Sequence, residues 1–107
     1  MTIYRQAAKV DKTQRAICME LRSVGIEVWV IKQPCDTLLR FWCNRHRDFC
    51  WQPLEIKTPN RKDGTARLRK DQKAQTEFLL STNTPVATSF QDAIRKLNAR
   101  HALGISV

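Results

Sequence analysis

Asp36 and the triplet Glu55-Ile56-Lys57 supply the residue types that metal-assisted cleavage of a phosphodiester requires: two carboxylates and an ammonium. Eighteen residues lie between Asp36 and Glu55, and an apolar run leads into each: Ile26 to Ile31 ahead of the Pro34-Cys35-Asp36 turn, and Phe49 to Leu54 ahead of the glutamate. Both acids therefore fall where strand ends can converge. Glu55 and Lys57 are two apart, so on a strand they share a face while Ile56 points into an apolar layer. A hard cation such as Mg²⁺ takes one or two protein carboxylates and completes its shell with water and phosphate oxygens. Taken singly these residues are unremarkable. A polar-apolar-polar triplet fits any half-solvated strand, and Asp36 by itself serves as a turn cap after Pro34. Their combination, with a glutamine-bearing helix around Asp71-Gln72 following a basic loop, is what points to chemistry.

Those 107 residues fit one domain, with residues 1–9 as a loose basic lead-in. No stretch approaches the length of a membrane span and the N-terminus has no signal-like apolar segment, so a soluble, cytoplasmic protein with no membrane partner is expected. Nineteen Lys and Arg against ten Asp and Glu give a net charge of +9, which favours a polyanionic partner over a small neutral ligand. A generally basic surface would produce the same total. The clustering of Lys57, Arg61, Lys62, Arg67, Arg69, Lys70 and Lys73, interrupted by only Asp63 and Asp71, argues instead for a phosphate-binding segment.

Four cysteines occur, at 18, 35, 43 and 50, and reduced thiols are the default for a cytoplasmic chain. Cys43, His46 and Cys50, with Cys35 as a further candidate, invite a zinc reading. They lack a paired Cys-x2-Cys knuckle, and cysteine is commonly buried, so core or strand positions are the expectation. His46 and His101 stand in no recognisable nucleophile context.

The elements that must position these groups follow from periodicity. Asp11 caps a helix with Gln14 as its capping-box partner, Ile17, Cys18, Leu21 and Val24 form its buried stripe, and Gly25 ends it. Ile26 to Ile31, apolar on nearly both faces, reads as a central strand. Residues 37–43 and 49–57 form two more strands around the turn Asn44 to Asp48, with Pro53 requiring a bulge or late pairing. A basic loop over 58–67 leads to a helix over 69–82 that carries Gln72, Gln75, Thr76 and Leu79 on one side. A short strand at 85–88 precedes a last helix capped by Ser89 with Asp92 at its third position. This order predicts an α/β fold: a mixed sheet flanked by helices on both faces. Trp29, Trp42 and Trp51 fit core or interface positions better than stacking platforms for unpaired bases.

Pro34-Cys35-Asp36, Glu55-Ile56-Lys57, and Leu68 with Asp71-Gln72 together resemble the PD-(D/E)XK nuclease superfamily, in particular its small phage and prophage members of the VRR-NUC and Holliday-junction-resolvase-like groups. The likeness runs from about Asp11 to Leu97 and implies the restriction-endonuclease-like αβββαβ core. It further implies that Asp36, Glu55 and the Ile56 carbonyl hold Mg²⁺ or Mn²⁺, that Lys57 is catalytic, and that Gln72 orients water or contacts the DNA backbone. Arg61, Lys62, Arg67, Arg69, Lys70 and Lys73 would then bind DNA. Relatives often carry a glutamate on the first helix where Gln14 stands here, which makes Gln14 an accessory site member and leaves two-metal chemistry open. Arg69-Lys70 also replaces the Thr-Pro that relatives tend to have ahead of the Asp-Gln pair. The activity implied is a divalent-metal-dependent DNA endonuclease, selective for junctions or flaps or unselective, serving phage DNA processing in the host cytoplasm. A homodimer and phage replication or packaging proteins are the partners that go with it. The alternative is a nucleic-acid-binding protein on the same scaffold without catalysis.

Overall fold

The computed structural model describes residues 12–59, 62 and 73–105. Seven elements follow one another: α1 (Lys12–Ser23), β1 (Glu27–Val30), β2 (Thr37–Cys43), β3 (Asp48–Ile56), α2 (Lys73–Ser81), β4 (Val86–Ala87) and α3 (Phe90–Asn98). The strands form one mixed sheet in the order β1-β2-β3-β4. The first three make an antiparallel meander, and β4, reached through α2, runs parallel to β3.

Local chemistry sets the ends of the elements. Gly25 adopts φ +89° after α1, and the amides of Gly25 and Ile26 donate to the carbonyls of Arg22 and Leu21 at 3.1 Å each. This is a Schellman closure, in which a residue without Cβ takes the left-handed position. It also lifts Val24 out of the predicted buried stripe, so that residue is exposed. At the start of α3 the Ser89 hydroxyl accepts from the Asp92 amide at 3.0 Å, and Asp92 accepts from the Thr88 amide at 3.1 Å. The predicted cap is therefore present, with Asp92 reaching back to the amide just before Ser89. The Asp11 cap lies outside the described residues.

The core occupies one face of the sheet. Val28, Leu39, Phe41, Leu54 and Ile56 alternate onto it and meet Ile17 and Leu21 of α1 and Ala93, Ile94 and Leu97 of α3. Because α1 and α3 also touch each other, they share that face. The expectation of helices on both faces holds in part: α2 reaches the opposite face at Glu55, while Trp29, Trp42, Phe49 and Trp51 on that face stay about half exposed. Likewise β1 is an edge strand paired to β2 alone, with Val28 its one buried residue. An apolar run resembles a central strand by composition; here the outward side is occupied by Trp29, whose indole N–H reaches Glu27 at 2.8 Å.

Pro53 causes no bulge. The β2–β3 register is continuous, with Leu38 opposite Pro53. The amides of Glu55 and Lys57 donate toward the β4 side, to Pro85 at 3.1 Å and Ala87 at 3.0 Å. Pro53 has the same parity and stands beyond the start of β4, so its missing donor removes no ladder bond.

Candidate functional site

The β2–β3 register places Thr37 opposite Leu54, and so sets Asp36, just before β2, against Glu55 near the end of β3. The turn before β2 is closed by the Ile31 amide donating to the Asp36 carbonyl at 2.9 Å. The Asp36 amide donates to Glu55 Oε1 at 2.9 Å, and the Ile56 amide donates to Asp36 Oδ2 at 3.0 Å. Lys57 Nζ stands 3.2 Å from Glu55 Oε2. Two carboxylates and one ammonium therefore meet where the strand ends converge.

Glu55 is 0 % exposed, which is costly for a carboxylate. Burial first, and then the negative charge of Asp36, push its pKa up, opposed by the Asp36 amide and Lys57. Oε1 also receives the Gln75 amide at 3.3 Å, whereas Oε2 is buried and takes no hydrogen bond, its compensation being the ion pair with Lys57. Two carboxylates against one ammonium leave oxygen donors of the kind that a small divalent cation takes. Cys35, also buried here, is no ligand candidate. Its thiol donates to the Thr37 carbonyl at 3.4 Å, and burial together with the charges of Glu55 and Asp36 raises its pKa to about 11.

The other predicted site residues divide by position. Ile56 turns its side chain into the core between Glu55 and Lys57. Gln14 is buried in the first turn of α1, next to Thr13, whose hydroxyl meets that of Thr58 at 3.1 Å; the start of α1 thus lies beside the segment that follows Lys57. Gln72, Arg61, Arg67, Arg69 and Lys70 lie outside the described residues. Lys62 and Lys73 are exposed. Gln75, on the first described turn of α2, is the glutamine found against Glu55.

On the face that carries Glu55, β3 also presents Phe49 and Trp51. The Arg40 guanidinium lies 3.9 Å above the Phe49 ring and 5.9 Å from that of Trp51, and Trp42 meets Phe49 edge-on at 5.4 Å. These aromatics are not core, contrary to one half of the expectation for the tryptophans. Alternation assigns them outward, because Leu39, Phe41, Gln52 and Leu54 turn toward the helices.

At the far end of the same two strands, Cys43, His46, Cys50 and His101 gather their ligand atoms within 4.8 Å of one another, a group able to hold a metal ion. His46 Nδ1 lies 3.1 Å from Cys43 Sγ and 3.4 Å from Cys50 Sγ. Burial raises the Cys43 thiol, but the Ala102 amide, His46 and His101 outweigh it and bring its pKa down to about 5. Burial and then the neighbouring Cys43 raise that of Cys50. Three of these residues are legible in the sequence, where plain strand positions are the expectation for them. His101 stands far downstream with no spacing to announce it, and Cys35, the further candidate, sits at the acidic end instead.

Comparison of the chain with protein-family models, with curated proteins and with solved structures returns no match. Among the described residues no helix is long and apolar enough to cross a membrane.

Proposed function

We propose that the protein is a divalent-metal-dependent DNA endonuclease built on a restriction-endonuclease-like core. The observation that carries this reading is the meeting of Asp36, Glu55 and Lys57, with Glu55 Oε2 buried and held only by an ion pair at 3.2 Å. The element order, and a β4 that runs parallel to β3 after α2, support the same αβββαβ pattern as the PD-(D/E)XK nucleases.

Asp36 and Glu55, with the Ile56 carbonyl, would hold Mg²⁺ or Mn²⁺. The ion would supply a water made acidic enough to yield hydroxide near neutral pH and a contact to a non-bridging phosphate oxygen. Lys57 stabilises negative charge developing on the phosphate and partly offsets the charge of the buried Glu55. Gln75 and the Asp36 amide fix the Glu55 carboxylate so that Oε2 faces Lys57. The cationic residues between 57 and 73 bind the sugar-phosphate backbone, which gives salt-dependent affinity and little base selectivity. A junction-selective enzyme would need two such sites, hence a homodimer.

The second reading is a DNA-binding protein without catalysis. It is favoured by one specific feature: Asp36 Oδ2 and Glu55 Oε1 each accept a backbone amide, so both acids tie strand ends together with no ion required. Incubating the purified protein and its Asp36→Ala variant with single-stranded, duplex, flapped and four-way DNA in Mg²⁺ or Mn²⁺ separates the two. The nuclease reading expects cutting that the variant loses while its DNA affinity is kept. Intact DNA in every case, with binding retained, establishes the second reading.

A further inference from the structure

We propose that Cys43, His46, Cys50 and His101 form a closed, tetrahedral Zn²⁺ site that pins the segment after α3 to the β2–β3 hairpin. This site is separate from the acidic end and does not depend on the nuclease reading.

The assignment rests first on the ligand atoms. The four lie within 4.8 Å of one another. Zinc bonds of about 2.3 Å to sulfur and 2.0 Å to nitrogen give a tetrahedron with S···N edges of about 3.5 Å. The observed 3.1 and 3.4 Å from His46 Nδ1 to the two sulfurs are close to that edge. Two thiolates and two imidazoles are a borderline-soft set that suits zinc and disfavours Mg²⁺.

The hydrogen bonding of His101 supplies an independent observation. Gln52 Nε2 donates to the Pro53 carbonyl at 3.0 Å, which fixes the amide and turns its oxygen toward His101. His101 Nε2 lies 3.1 Å from that oxygen and must therefore carry the proton. Nδ1 is left with a lone pair, and it is buried without a hydrogen-bond partner. An orphaned, buried imidazole nitrogen whose opposite N–H is held by an amide oxygen is the arrangement of a metal-bound histidine with its supporting partner. The Ala102 amide donates to Cys43 Sγ at 3.4 Å, support of the same kind for a thiolate. The edge-on contact with Phe41 at 4.9 Å fixes the His101 ring plane.

Four protein ligands leave no open position, so the role is structural. The hairpin provides three ligands and the segment after α3 provides His101, along a seam already joined by Asn44 N to Ala102 O at 2.7 Å and Arg45 Nη1 to Arg100 O at 3.1 Å. Any proton still held on either sulfur passes to solvent on loading, which leaves a neutral Zn(thiolate)₂(imidazole)₂ centre.

The test is elemental analysis of the full chain, kept under reductant, loaded with ZnCl₂ and dialysed against metal-free buffer, with Co²⁺ titration followed by absorption. About one zinc per chain is expected, together with thiolate-to-cobalt charge-transfer bands and the visible bands of tetrahedral Co²⁺. Cys50→Ser and His101→Ala should lose the bound zinc, and Glu55→Gln should keep it. Absence of retained zinc and of thiolate–cobalt bands in the unaltered protein would overturn the proposal whether or not the variants fold. Full zinc retention by folded Cys50→Ser and His101→Ala would overturn it equally.

Discussion

The two ends of the β2–β3 pair make opposite use of the same strands. At one end Asp36 and Glu55 are oxygen donors already engaged by backbone amides, with a single ammonium to offset two charges. At the other, Cys43, His46, Cys50 and His101 offer sulfur and nitrogen, and one buried nitrogen accepts no hydrogen bond. The difference is one of hardness and closure. On the proposed reading the acidic end would take a small oxygen-loving cation that keeps exchangeable positions for water and phosphate. The thiol-imidazole end suits a tetrahedral ion that exchanges nothing. Metal identity should therefore divide cleanly between the ends, and each end can be removed without the other.

The largest expected effect lies at the acidic end. Asp36→Ala or Glu55→Ala should lower Mg²⁺-dependent DNA cleavage by about a thousandfold, read as initial rates on a labelled substrate, with zinc content unchanged. Equal loss of zinc would erase the distinction between the two ends. Next comes the soft end: stripping zinc with a strong chelator, or Cys50→Ser, should lower Tm by on the order of 10 °C in thermal unfolding. Mg²⁺ should not restore it.

A third prediction concerns proton linkage at the acidic end in metal-free protein. Burial raises the folded-state pKa of Glu55, so folded protein holds that proton more tightly than unfolded chain does. The stability it contributes is fully present below the unfolded carboxylate pKa and is lost as pH rises through the raised folded value. Urea midpoints should therefore fall over that interval in the parent and fall less in Glu55→Gln. Added Mn²⁺ should recover the loss in the parent alone. A parent and variant with superimposable pH profiles would remove the argument that Glu55 is under-compensated.

The smallest effect belongs to the open aromatic face between the ends. Trp51 is 52 % exposed, so Trp51→Ala should change stability by within about 0.5 kcal/mol. If unpaired bases stack there on their way to Glu55, affinity for single-stranded DNA should drop by about 1–3 kcal/mol in a fluorescence titration. A shift in oligomeric state instead would mark the face as a contact between copies.

What the chain reveals about itself follows from how local each determinant is. The Gly25 closure, the Ser89–Asp92 cap and the meander were legible because each depends on a few neighbouring residues. Asp36 and Glu55 could be paired in advance because both sit at the ends of adjacent strands, where register brings them together. Three points were not legible. Edge and central strands cannot be told apart by composition when tryptophan occupies the outward side, as in β1. Pro53 looked disruptive because its harmlessness depends on where β4 starts. His101 joins Cys43 only through the path of the chain after α3, which leaves no mark in the spacing.

The central claim is that Asp36 and Glu55 share a hard cation distinct from the thiol-imidazole site. Calorimetric titration of zinc-loaded protein with Mn²⁺ tests it most directly. The account predicts a Mn²⁺ site that disappears in Glu55→Ala and survives in Cys50→Ser. Identical Mn²⁺ binding by the parent and by Glu55→Ala would contradict it.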